Sequence, residues 1–216
     1  MTDISSPGRR RQALVALGLL ASFVLLYFFV DAPLARVTVP FKDHQPRVID
    51  DLFEFVRLFG QLLSVILAAA LILSLDPARR NELVRLLIAV ALAAAAVNIL
   101  KMVIGRARPE AFAAGRKMWS LFAGFYETEY TSFPSAHAAG AFALAAPLSA
   151  MYPRARHVFY ALAILCAISR VGDAQHYASD AVAGAALGLW LGSGAFRWRW
   201  VGRLASRIVP SNENAS

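Results

Sequence analysis

The sequence predicts an all-α polytopic membrane bundle of six transmembrane helices, with a polar site gathered at its non-cytoplasmic end. Three observations carry that expectation. Of the 216 residues, 58% are hydrophobic, and they fall in runs near the ~20 residues needed to cross a bilayer, which makes a soluble core the poorer reading. The basic residues, which leave a formal charge of +8, sit at the ends of those runs. Lipid headgroups and membrane topology account for charge placed there, and nucleic acid does not. Finally, three short charged islands interrupt the apolar runs, where ionisable groups are costly and mark function.

The elements follow in order. Arg9, Arg10 and Arg11 precede an apolar run over 13–30. It exceeds the ~7–15 residues of a signal-peptide core and no A-x-A site follows, so it reads as a retained first span after a cytoplasmic tail at 1–12. Residues 31–47, with Pro33, Pro40 and Pro46, read as a loop. Val48, Leu52, Phe55, Val56 and Phe59 then recur at helical spacing among Asp50, Asp51, Glu54 and Arg57, an amphipathic, interfacial lead-in to a second span over 58–75.

Asp76-Pro77 and the basic turn with Arg79, Arg80 and Arg85 precede a third span over 86–104. A fourth begins after Pro134-Ser135 and stops at Pro153, with a kink expected at Pro147. The fifth, over 157–168, is short for a span. The sixth, over 178–196, carries Gly184, Gly188 and Gly192 at four-residue spacing, a small-residue face for close packing within the chain or between subunits; a homo-oligomer is left open. Trp198, Trp200, Arg197, Arg199, Arg203 and Arg207 make an interfacial belt running into a cytoplasmic tail at 201–216. The length fits one domain, over 13–200. Six spans put both termini and the Arg-rich turns on one side, which the positive-inside rule makes cytoplasmic. The three islands then emerge together on the other. A single cysteine, Cys166, excludes an intramolecular disulfide and a Cys-based metal site.

The first island holds Lys101, Arg108 and Pro109; the second, Pro134, Ser135 and His137; the third, Ser169, Arg170, His176 and Asp180. In order and spacing they resemble the type 2 phosphatidic acid phosphatase superfamily, membrane relatives of bacterial acid phosphatases and vanadium haloperoxidases. The likeness covers roughly residues 60–197. One departure is Ala136, where the family usually has Gly. The resemblance implies a metal-free, cofactor-free lipid phosphate phosphatase of a plasma (inner) membrane. His176 would attack phosphorus to form a phosphohistidine, Asp180 would orient its ring, and His137 would protonate the leaving oxygen. Lys101, Arg108, Ser135, Ala136 and Arg170 would bind the phosphate.

Elementary chemistry agrees. Guanidinium forks suit phosphate, a helix N-cap at Ser135 turns free N–H groups toward an anion, and imidazole titrates near neutrality. Phosphatidic acid, phosphatidylglycerol phosphate, undecaprenyl diphosphate and lipid A 1-phosphate stay open as substrates. So do a lipid phosphotransferase using the same intermediate and a non-enzymatic lipid-phosphate binder, although binding alone needs no nucleophile. The haloperoxidases are soluble, unlike this chain. The segment 110–133, rich in aromatic residues, reads as a half-immersed cap beside the site. His44 and His157 read as interfacial, Asp173 as part of the turn before His176, and Arg106 as an extra phosphate contact or a headgroup anchor.

Overall fold

The computed structural model describes residues 7–209, with the backbone alone for 7–13 and Ala16. The expected tail at 1–12 with its three arginines, apart from its backbone from Pro7, and the tail beyond residue 209 lie outside the described residues. Those described form helices and turns and no strand; the only β pairing among them is a pair of isolated bridges from Arg106 to Trp119 and Thr131.

The first helix, α1 (Pro7–Leu25), runs through a π turn (Leu26–Val30) directly into α2 (Asp31–Lys42). The loop expected over 31–47 is therefore a helix as far as Lys42. Its prolines do not prevent this. Pro33 falls in the first turn of α2, just after the π turn, and Pro40 in the last turn, two residues before the helix closes, so each removes at most one bond near an end of the regular ladder. Residues Leu17–Lys42 make one apolar stretch of 26 residues, long enough to cross a bilayer.

The amphipathic helix expected near Val48 is α3 (Arg47–Arg57). It passes through a 3₁₀ turn (Leu58–Gly60) and bends by 59° into α4 (Leu62–Leu75) at an extended Gln61. Gly60 permits the bend, because a Cβ there would run into the carbonyl of His137.

The centre of the bundle is α7 (Ala136–Met151), packed between α5 (Arg80–Ile104), α8 (Arg156–Gly172) and α9 (Ala178–Arg197). Six of its ten buried residues are alanine, and the glycines of α9 meet it. A Cβ on Gly184 or Gly188 would strike the carbonyl of Ser135 or Ala139, and Gly192 lies against Ala143. The glycine spacing thus serves packing within the chain, with two backbones in close approach. Two short helices complete the set: α6 (Pro109–Ala113) after α5, and the amphipathic α10 (Arg199–Ile208) after α9.

By length and apolar content, three helices among the described residues can cross a membrane, or four if the bent α3–α4 pair is one span. The helices α7 and α9 fall outside that count for physical reasons. At 16 residues, α7 spans about 24 Å and faces protein on most sides. The apolar character of α9 is diluted by Asp180 and by the glycines that let it pack.

Candidate active site

The N-terminal ends of α7 and α9 and the C-terminal ends of α5 and α8 meet at one end of the bundle, joined by the cap segment that follows α6. Gly105 closes α5 in the left-handed conformation (φ 59°), with the carbonyl of Ser120 where a Cβ would stand. From there the chain runs extended between two strips of the cap: Ala107 N–H bonds the Met118 carbonyl, Arg108 N–H the Glu129 carbonyl, and Ser132 N–H the Arg106 carbonyl, at 2.8–3.0 Å. These bonds hold the first island rigidly against the second. A fourth bond, from Ser135 N–H to the Asp180 carbonyl at 3.0 Å, ties the second island to the third.

Of the five charged or imidazole side chains predicted to surround the anion, the structure brings all five together. Lys101, on the last turn of α5, is buried and donates to the Thr131 carbonyl. Arg108 donates through one Nη to Gln175 and through the other to Thr131 Oγ1 at 3.3 Å. Arg170, in the last turn of α8, donates to Asp173 at 2.8 Å, so Asp173 belongs to the turn before His176 as expected and also holds a guanidinium. The Nε atoms of Arg108 and Arg170 are buried without a partner among the described residues. Buried donors normally find an acceptor, and an anion would supply one. Lys101, Arg108 and Arg170 lie close enough to act electrostatically on both His137 and His176, and Arg57 acts on His137 as well.

Ser135 is the N-cap of α7, its hydroxyl accepting from Ala138 N–H at 3.4 Å. The amides of Ala136 and His137, in the first turn, have no intrahelical acceptor. His137 lies next to Gln61, ring nitrogen to amide nitrogen at 3.4 Å, a neighbour created by the bend at Gln61.

The structure changes the expected partner of His176. The ring is 4% exposed, and its Nδ1 lies 2.7 Å from the carbonyl oxygen of Ser132 but 3.9 Å from Asp180 Oδ2. A carbonyl oxygen only accepts, so Nδ1 carries the proton and Nε2 holds the free lone pair. Burial first, then the cations Lys101, Arg170 and Arg108, hold the imidazole well below its ordinary titration range. A ring so placed favours the neutral form.

Asp180 is bound elsewhere. It accepts from Arg106 Nη1 at 2.5 Å, from Ser132 Oγ at 2.6 Å and, from the third residue of α9, from the Tyr177 N–H at 3.0 Å. It thus reaches His176 through Ser132: the carboxylate holds the hydroxyl of the residue whose carbonyl holds the ring.

Arg106, expected to touch phosphate or headgroups, does neither. It is fully buried, paired to Asp180 and to Asp31 at 2.8 Å, bonded to Ser179 Oγ at 2.8 Å, and stacked over Tyr177 at 4.1 Å with Trp119 and Tyr27 beyond. Asp31, from α2, also accepts from the Ser179 amide at 3.1 Å. Sequence reasoning missed Asp31, Ser132, Gln61 and Gln175. Asp31 alone had a signal, a carboxylate directly after a membrane-length apolar run.

The sequence pattern of the PAP2 superfamily matches residues 82–203, a stretch that contains all three islands. The chain belongs to the PAP2 superfamily. Among curated proteins, the Lipid A 1-phosphatase of Rhizobium johnstonii is 40% identical over 94 residues, 43% of this chain and 38% of that protein. The Lipid A 1-phosphatase of Rhizobium etli is 40% identical over the same length, 40% of its own chain. The match therefore spans well under half the length of these relatives. A crystal structure of Aquifex aeolicus LpxE covers 79% of this chain and 97% of its own at a TM-score of 0.63 and 20% identity, a likeness of fold.

Proposed function

We propose that this PAP2 protein is a metal-independent lipid phosphate phosphatase that works through a phosphohistidine at His176. The observation that carries the reading is the hydrogen bond from Nδ1–H of His176 to the Ser132 carbonyl, which leaves Nε2 free among three cations. Lys101, Arg108 and Arg170 would neutralise the phosphoryl oxygens, with the Ser135 hydroxyl and the amides of Ala136 and His137 completing the cradle. Ala136 still supplies the N–H that the usual Gly would.

In the first step the Nε2 lone pair attacks phosphorus, the bond from phosphorus to the lipid oxygen breaks, and His137, which takes up a proton when the bound phosphate dianion offsets the cations around it, gives that proton to the leaving oxygen. In the second, neutral His137 takes a proton from water, the water oxygen attacks phosphorus, and the phosphorus–nitrogen bond breaks to release inorganic phosphate and restore His176. Metal independence is supported by the donor set: the carboxylates nearest the bowl, Asp180, Asp31 and Asp173, are each held by an arginine.

We further read the chain as six spans (α1–α2, α3–α4, α5, α7, α8 and α9) over 13–200 in an inner membrane, with the bowl facing outward. Arg79, Arg80, Arg154, Arg156, Arg197 and Arg199 cluster at the turns of the opposite end, which supports that orientation. Among the four substrate classes, lipid A 1-phosphate is favoured by the names of the relatives, each a Lipid A 1-phosphatase. The test is phosphate release from a panel of lipid A 1-phosphate, phosphatidic acid, phosphatidylglycerol phosphate and undecaprenyl diphosphate, by the purified protein and by His176→Ala, with and without EDTA. Release that is fastest from lipid A, abolished in the variant and unaffected by chelator supports the reading. Release by the variant, or only with added metal, overturns it.

A further inference from the structure

A second cationic site lies at the other end of the bundle. Along α5, Arg85 precedes Lys101 by about 24 Å of helix axis, close to the thickness of a bilayer's hydrocarbon core. Arg85 is half-buried there, in a pocket of about 420 Å³ lined with Arg197, Trp198, Arg199, Gly202 and Arg203. None of the four arginines has a carboxylate partner among the described residues. Arg85 Nε is buried and makes no hydrogen bond among them either.

The pocket is built. The Arg85 guanidinium lies 5.9 Å from the Phe196 ring centroid, and a Cβ on Gly202 would come within 3.1 Å of its Nη2, so the glycine keeps that wall clear. The wall itself is α10, fixed by Val201 and Ala205, which are buried, the first in a cluster with Ala89 and Ala195. At its N-terminus Trp198 offers no capping oxygen, so the first-turn amides add their partial positive charge on the side of the arginines. On the outer edge of α10, Trp200, Leu204 and Ile208 are exposed.

We propose that this pocket seats the phosphodiester headgroup of an anionic glycerophospholipid, in the leaflet away from His176. Four guanidiniums close together repel one another unless an anion joins them, and their planar forks fit phosphate oxygens. The apolar edge of α10 beside them identifies the anion as one that carries acyl chains. Basic pockets at the ends of membrane helices take such headgroups, and Trp198 and Trp200, stacked at 6.0 Å, sit where aromatic belts meet the interface.

The test is native mass spectrometry of the full-length protein in neutral detergent, titrated with dioleoylphosphatidylglycerol or dioleoylphosphatidylcholine. Retention of phosphatidylglycerol over phosphatidylcholine is expected, weakened about tenfold or more in Arg85→Gln/Arg203→Gln. Arg203→Gln alone, at an exposed position, should weaken it in the same direction without disturbing the fold. Arg207→Gln, outside the pocket, and Lys101→Ala, at the other end, should leave it unchanged. Equal weakening by Arg207→Gln would mean diffuse charge, loss in Lys101→Ala alone would mean the lipid is held at the bowl, and displacement by millimolar inorganic phosphate would mean a soluble-anion site. Each of these overturns the proposal. The readout is lipid retention, so it stands or falls separately from phosphatase activity.

Discussion

Arg106 and Arg108 are two residues apart and differ in what holds their Nη atoms, carboxylates for the first and neutral oxygens for the second. Arg106 is charge-paired: both Nη atoms engage carboxylates or a hydroxyl and aromatic rings cover its face, although its Nε, like that of Arg108, makes no hydrogen bond among the described residues. Arg108 is incomplete, held by neutral Gln175 and Thr131, with a buried Nε unpartnered among the described residues. A guanidinium neutralised by two carboxylates has no charge left to offer a phosphate. One held by amide and hydroxyl oxygens keeps its full charge and fixed direction. The site is therefore layered, with a charge-paired, structural layer of Arg106, Asp31, Asp180 and Ser179 beneath an open cationic bowl of Lys101, Arg108 and Arg170.

If the layers are distinct, changes in the bowl reduce turnover and spare stability, while changes in the charge-paired layer do the reverse. His176→Ala should show the largest effect, a loss of kcat on the order of 10⁴-fold or more, with a melting temperature near that of the parent. Next comes Arg106→Met. Leaving Asp31 and Asp180 buried without their cation should cost about 3–5 kcal/mol of stability, read by thermal or denaturant unfolding in detergent, and the protein that remains folded should retain most of its activity. Equal loss of kcat per folded molecule would erase the distinction between the layers.

Arg108→Ala should lower kcat/KM by roughly 10²–10³-fold with little change in unfolding. Ser132→Ala sharpens the comparison, since it removes the hydroxyl on Asp180 but keeps the carbonyl on His176. It should cost about 1.5–3 kcal/mol of stability while activity falls only modestly.

The smallest effect concerns pH. His176 is held well below its ordinary value, by burial first and then by the neighbouring cations. The unfolded chain takes up a proton there near pH ~6.5 while the folded chain does not. Stability contributed by the neutral ring is thus present above that pH and is lost as pH falls through it. His176→Asn should flatten the decline in stability between about pH 7 and 5.

The parts of the molecule legible in the sequence are those whose signal is local. Ser135 as an N-cap, Lys101 on the last turn of α5, the stop at Pro153 and the glycine face of α9 all follow from residue type and spacing. So does the membership of the chain in its superfamily. What stayed hidden depends on distant partners or on backbone atoms. Three prolines in 31–47 suggested a loop, but the positions of two of them within a helical turn, which spacing does not reveal, made them tolerable. That misreading concealed Asp31, and without Asp31 the buried role of Arg106 had no explanation. The hydrogen bond that sets the His176 tautomer comes from a main-chain carbonyl, which no residue type announces. Six spans were inferred from runs of apolar residues; α7 and α9, two of those runs, are packed against other helices, and their alanine and glycine content also serves that packing.

The account rests on a neutral His176 presenting Nε2 to phosphorus. Rapid quench of the purified protein with a lipid carrying radiolabelled phosphate tests it directly. Label that survives alkali, is lost in acid, and maps to the peptide containing His176 is the expected result. Turnover without any trapped label at His176, or label on another side chain, would contradict it.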